Sequence, residues 1–259
     1  MKRWLLILVG IVLMYAGIRG IFFSSKLLND PKNINEAIIR LKKDEEKELV
    51  KIKNKIEEEE KKNETKSSIE DYKDVSFFQF YKDTMFLGDS ITEGLIDYQF
   101  VNEYNVMADK GDNVKDAFNK IEKVKQVNPD NLVLFYGMND VIEFDSLNEL
   151  LTPSNFKKIY IDLINKVKQD LPNTKIYIIS PTNVTDEAIN TNYRLTNKNI
   201  SMFRGIIQEV CNETGVMYID INSKIIDRSD LYEGDGIHFK YEFYNIWLET
   251  LKEGILKGA

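Results

Sequence analysis

The chain has 259 residues, 43% hydrophobic and 30% charged, which is enough apolar material for a packed core and rules out wholesale disorder. A single cysteine and a single histidine exclude a disulfide framework, a cysteine-based metal site and the multi-histidine zinc motifs, and leave His238 as the only imidazole. The net charge of -7 is uneven: residues 1–71 carry 15 Lys+Arg against 13 Asp+Glu, residues 72–259 carry 20 against 29, and so acidic a larger part argues against a nucleic-acid partner.

In chain order, residues 4–23 come first and contain one charge, Arg19. An apolar span of about 20 residues matches the hydrocarbon thickness of a bilayer. Residues 1–25 therefore read as a signal-anchor transmembrane helix, with residues 4–23 as the membrane contact. A cleaved signal peptide, releasing a secreted protein, is the rival reading. Lys2 and Arg3 form a short basic tail that is costly to translocate, which places the C-terminal bulk outside the cell. Residues 26–75 read as a charged helical or flexible stalk, because 19 of the 29 residues from Glu36 to Glu64 are charged. Leu49, Ile52 and Ile56 lie at a/d-like spacing over barely two heptads, so a stalk-mediated homodimer is a further option.

From residue 76 to 259 short apolar runs alternate with amphipathic stretches. Thr84–Leu87, Tyr104–Ala108, Asn131–Tyr136, Lys175–Ser180 and Val216–Ile219 read as strands. Val114–Val127, Pro153–Asp170, Asn192–Asn212 and Tyr241–Leu256 read as helices, the second opened by Thr152 and Pro153. Strands separated by helices of this length predict an α/β fold, a parallel sheet of five strands with helices on both faces.

The carboxyl edge of such a sheet is where ligands bind. Gly88-Asp89-Ser90-Ile91-Thr92 follows the first strand, Lys110-Gly111-Asp112 the second and Gly137-Met138-Asn139-Asp140 the third. Asp235-Gly236-Ile237-His238 precedes the last helix. A serine hydroxyl becomes a useful nucleophile when a base takes its proton, and imidazole is the side chain suited to that near neutrality. Asp235, three residues before His238, is placed to fix the ring's tautomer and to stabilise its cation. The backbone N–H of Ser90, the N–H of Gly111 and the Asn139 amide are candidate donors to an oxyanion. Asp89 and Asp140 adjoin two of these groups as supporting residues. Ser90 and Glu93 also spell S-x-x-E, a capping box that opens a helix.

These blocks resemble the SGNH hydrolases, also called the GDSL esterase/lipase family. Gly88-Asp89-Ser90 with Thr92 matches the first block, Gly111 the second, Gly137-Met138-Asn139-Asp140 the third and Asp235-Gly236-Ile237-His238 the fifth. The resemblance covers roughly residues 80–258. It implies a flavodoxin-like three-layer α/β/α fold, with Ser90 as nucleophile, His238 as base and Asp235 as its partner. It also implies an oxyanion hole of Ser90, Gly111 and Asn139, and no metal or organic cofactor. Thr92 stands where the α/β-hydrolase elbow G-x-S-x-G has its last glycine. The expected activity is hydrolysis of short-chain, mainly acetyl, O-esters on a cell-surface carbohydrate. An O-acyltransferase and a non-catalytic surface-binding module are the alternatives. Tyr98, Phe100, Tyr136, Phe144 and Tyr193 are candidate sugar-facing aromatics, and Cys211 reads as buried core.

Overall fold

The structure is a computed structural model that describes residues 40, 42–58, 72, 74–143 and 152–258. The chain divides into two compact units, Met1–Lys66 and Ser67–Ala259. In the first unit residues 42–58 are helical, with Leu49 and Ile56 exposed and Ile52 half-buried. The expected transmembrane segment, residues 1–25, lies outside the described residues. Among the described residues no helix is long and apolar enough to cross a membrane.

The second unit is built on five parallel strands: β1 (Thr84–Gly88), β2 (Val106–Ala108), β3 (Asn131–Phe135), β4 (Lys175–Ile179) and β5 (Met217–Ile219). Their order across the sheet is β2-β1-β3-β4-β5. Every residue of β1 is buried, as are the last four of β3 and of β4. Strands covered on both faces read as unbroken apolar runs, which is why TMFL, NLVLF and KIYII are legible as strands.

Among the described residues of this unit, six helices of six residues or more connect or flank the strands: α1 (Ser90–Asp97), α2 (Ile121–Val127), α3 (Met138–Glu143), α4 (Pro153–Asp170), α5 (Asn197–Thr214) and α6 (Tyr241–Lys257). Parallel crossovers are right-handed. The step from β1 outward to β2 and the steps from β2 back through β3 to β5 run in opposite directions, so they place α1 on one face and α2, α4 and α5 on the other. Side-chain packing agrees with this division. Phe156 of α4 meets Phe203 of α5 with ring centres 4.7 Å apart. On the other face, Tyr244 of α6 donates from its hydroxyl to the Ile91 carbonyl of α1 at 3.0 Å. Trp247 of α6 packs on Phe86 of β1 and Phe135 of β3, at 6.2 and 5.0 Å.

Local chemistry sets the ends of the elements. Thr152 caps α4 by accepting from Asn155 N–H at 3.2 Å, with Pro153 in the first turn, as the sequence predicts. The last long connecting helix starts at Asn197 rather than Asn192, because Thr196 caps it; it ends at Gly215, φ 68°. The second strand is shorter than expected. The Asn102 side chain accepts from Tyr104 N–H at 3.1 Å and winds Glu103–Asn105 into a 3-10 turn, which leaves Val106–Ala108 for the sheet. The expected helix Val114–Val127 is a 3-10 turn, Asp116–Lys120, running into α2.

Candidate active site

The sheet order reverses at β1 and β3, and this switch point opens a crevice at the strands' carboxyl ends. Ser90 emerges after β1 and Asn139 after β3, on its two sides. Gly88 makes the first turn possible: a Cβ there would lie 2.0 Å from Thr92 Oγ1 and 2.8 Å from the Phe135 carbonyl. Asp89 follows in extended conformation and is the N-cap of α1, its Oδ1 accepting from Ile91 N–H at 2.9 Å. The expected capping box led by Ser90 is therefore corrected. The Asp89 carboxylate one residue earlier caps the helix, which leaves the Ser90 hydroxyl free of that duty.

His238 Nε2 lies 2.9 Å from Ser90 Oγ, and His238 Nδ1 lies 2.5 Å from Asp235 Oδ2. The other Asp235 oxygen accepts from the backbone N–H of Ile237 at 2.9 Å and of His238 at 3.0 Å. One carboxylate thus folds its own loop and orients the ring it serves. Burial alone would raise the Asp235 carboxyl; the bonds from His238 and the two backbone N–H groups outweigh it and hold it below the ordinary range. The loop's outer supports are not visible in the motif. Gly236, at φ 72°, has its carbonyl bonded by Thr185 N–H at 3.0 Å. The Tyr232 hydroxyl donates to the Asn183 carbonyl at 2.7 Å, and Glu233 N–H to the His238 carbonyl at 2.8 Å. The segment after β4 therefore braces the acid–base loop.

Asn139 joins the remaining pieces. Its Nδ2 donates to the Asp112 carbonyl at 2.9 Å and to Asp89 Oδ2 at 3.2 Å. One side-chain amide is thus tied to the residue before Ser90 and to the residue after Gly111. Gly111 is exposed at φ 85°, with open space where a Cβ would point. The two supporting carboxyls are buried. Burial pushes both Asp89 and Asp140 up to about 7, against single backbone bonds from Ile91 and from Val114. Asp140 Oδ2 has no hydrogen-bond partner among the described residues.

Phe100 and Tyr136 are corrected from candidate sugar contacts to core, since both are buried under the sheet's helices. Tyr98 is half-buried against Tyr241 and Tyr244. Tyr193 alone of the described candidates is open, at 69% exposure, and Phe144 lies outside the described residues. Cys211 is buried, and burial pushes its thiol up to about 12. Among the described residues no three His, Cys, Asp or Glu side chains gather as a metal-holding group.

A hydroxyl, an imidazole and a carboxylate bonded in series at the carboxyl edge of a doubly wound sheet define a serine ester hydrolase. Residues 86–246, more than half of the chain, match the GDSL-like Lipase/Acylhydrolase family, and the chain belongs to that family. Solved structures of similar fold include a lipase/acylhydrolase from Enterococcus faecalis, 21% identical with a TM-score of 0.53, covering 68% of this chain and 95% of that one. A GDSL-like lipase from Bacteroides thetaiotaomicron is 17% identical with a TM-score of 0.56, over 69% and 90% of the two chains. An acetyl xylan esterase is 21% identical with a TM-score of 0.50, over 66% and 98%. No curated protein matches the chain.

Proposed function

We propose that this esterase removes short acyl groups, acetyl above all, from a cell-surface carbohydrate, through an acyl-enzyme on Ser90. The observation that carries the reading is the unbroken series Ser90 Oγ–His238 Nε2 at 2.9 Å and His238 Nδ1–Asp235 Oδ2 at 2.5 Å. As Ser90 Oγ attacks the ester carbonyl, His238 takes its proton and Asp235 stabilises the imidazolium. The Ser90 and Gly111 amides and the Asn139 side chain receive the oxyanion. Both protons of the Asn139 amide are engaged, so the longer bond, to Asp89, is the one that yields to it. His238 then protonates the departing sugar alcohol. Water, activated by the same ring, attacks the acyl-enzyme, releases the acid and returns the proton to Ser90.

Two features support a carbohydrate over a long fatty chain. One of the similar folds is named for acetyl xylan. Tyr193 sits on a segment strung across the catalytic rim. That segment starts at Thr185, bonded to Gly236, and ends at Arg194, which donates to the Ile142 carbonyl of α3 at 2.9 Å and lies 5.0 Å from the Tyr193 ring centre. An exposed ring held in this way suits stacking on the C–H face of a sugar. The apolar span of residues 4–23 supports a membrane tether, and the short basic tail of Lys2 and Arg3 before it supports a catalytic unit outside the cell.

The test is labelling with a fluorophosphonate and hydrolysis of p-nitrophenyl acetate. The wild-type chain is expected to label and turn over. Ser90→Ala is expected to do neither, with kcat down by at least about 10³. Labelling that survives in Ser90→Ala removes the serine from the mechanism. Hydrolysis of acetylated xylo-oligosaccharides, weakened in Tyr193→Ala with p-nitrophenyl acetate turnover unchanged, supports the carbohydrate reading.

A further inference from the structure

Lys120 closes the 3-10 turn that precedes α2, outside every motif block. Its side chain is only 13% exposed, and its ammonium meets three oxygens in one short stretch, two through hydrogen bonds and one as an ion pair. Lys120 Nζ lies 3.1 Å from the Met107 carbonyl in β2, 2.9 Å from Asp109 Oδ2, and in direct contact with Asp112 Oδ2. Asp109 and Asp112 bracket the left-handed Gly111, and the turn between them is closed by Asp112 N–H donating to the Asp109 carbonyl at 3.1 Å. The carbonyl of the same Asp112 receives the Asn139 amide at 2.9 Å.

We infer that Lys120 is a positioning residue for the oxyanion hole. It pins the end of β2 and both flanks of the turn to one point. It thereby sets where the Gly111 N–H points and where the Asn139 amide is held. This inference rests on the esterase reading of the same site. The turn has no sheet or helix hydrogen bonds of its own to hold it, and an open glycine at its tip adds backbone freedom. An oxyanion hole works only when its donors stand within a fraction of an ångström of the developing charge before it forms. A point clamp with three short legs supplies that constraint without entering the site. The Asp112 carboxyl is 15% exposed and is pushed up by burial, with the Lys120 ammonium pulling against that shift, so the Lys120–Asp112 leg is shielded from water and holds in salt, while the Asp109 leg, 74% exposed, is the one that salt weakens.

A clamp of this kind differs from an ordinary structural ion pair in what its loss changes. Lys120→Met keeps the buried stem and removes the ammonium. It is expected to lower kcat for p-nitrophenyl acetate about 10- to 100-fold while KM moves less than about threefold, because the loosened donors meet the charge only in the transition state. The rate of Ser90 labelling by a fluorophosphonate, which passes through a similarly charged oxygen, is expected to fall by a comparable factor. Lys120→Arg, which keeps a cation with several donors, is expected to recover most of both losses. If Lys120→Met does not fold, the isosteric Asp112→Asn removes one ionic leg, and it is expected to lower kcat about 3- to 10-fold. A folded Lys120→Met or Asp112→Asn with kcat and labelling rate at the wild-type level overturns the inference. So does a Lys120→Met whose only change is a lower Tm. A wild-type chain that takes no label removes the serine reading and this one with it. A labelled wild type matched by an equally fast Lys120→Met removes this one alone.

Discussion

Gly236 stands between the acid and the base at φ 72°, and a Cβ on it would lie 2.2 Å from Thr185 Oγ1 and 3.1 Å from Ala188 N. Left-handed backbone and lack of room both demand glycine there. Gly236→Ala is expected to cost about 1–3 kcal/mol of stability and to lower kcat, because relief of the clash pushes Asp235 and His238 away from Ser90. Thermal unfolding and p-nitrophenyl acetate kinetics check this, and a variant with wild-type Tm and kcat would show that the loop gives way elsewhere. Asp235 itself is held below the ordinary carboxyl range. Its contribution to folding is present above that range and is lost only as the pH falls through its lowered value, so it stays anionic wherever the esterase works.

At the scale of elements, β1–α1 and β3–α3 are built alike. Each strand ends in a glycine turn, each helix opens beside a site residue, and each pair buries a carboxyl, Asp89 or Asp140. Burial lifts both carboxyls from the ordinary 3.8 to about 7. The folded chain thus keeps protons on these two groups that the unfolded chain has already released, so their contribution to stability is greatest at the acid end and declines as the pH rises from about 4 to about 7. Asp140 is the cleaner probe, since its Oδ2 has no partner among the described residues and its Oδ1 accepts from Val114 N–H, a bond that the carbonyl of an asparagine can also make. Asp140→Asn is expected to flatten part of that decline and to raise Tm at pH 8 relative to the wild type. Parallel Tm curves for the two proteins between pH 5 and 8 would place the cost elsewhere.

At the scale of the whole molecule, every group placed in the site belongs to the unit Ser67–Ala259. A unit with its own core needs nothing outside it to assemble a site. A chain shortened to residues 67–259 is expected to hydrolyse p-nitrophenyl acetate with kcat/KM within about twofold of the full chain. If the proposed tether holds the full chain in the membrane fraction, the shortened chain is expected to be absent from it. Loss of activity on truncation, in a unit that still unfolds cooperatively, would give residues 1–66 a part in catalysis. At the described start of this unit Tyr72 packs on Phe80 at 5.4 Å, and Phe77 packs on the buried Phe100 at 6.1 Å, so aromatic contacts tie the entry of the chain to the core.

Much of this protein is written locally. Doubly covered strands need unbroken apolar runs, a helix start needs its Thr or Asp, and loops at strand ends need glycine where the chain turns. The five strands, the α4 boundaries and the choice of Ser90, Gly111, Asn139, Asp235 and His238 as candidates are therefore legible in the residues themselves. Other features depend on which loops the right-handed crossovers bring to one rim. His238 reaches a hydroxyl 148 residues away, Asp89 rather than Ser90 caps α1, and Phe100 and Tyr136 are core while Tyr193 faces water. Lys120 gathers its three oxygen partners from a strand end and a turn that no spacing rule connects to it. Turn and cap chemistry is decided between neighbours in the chain. Burial and convergence are decided by the order of strands in the sheet, and that order exists only once the chain has folded.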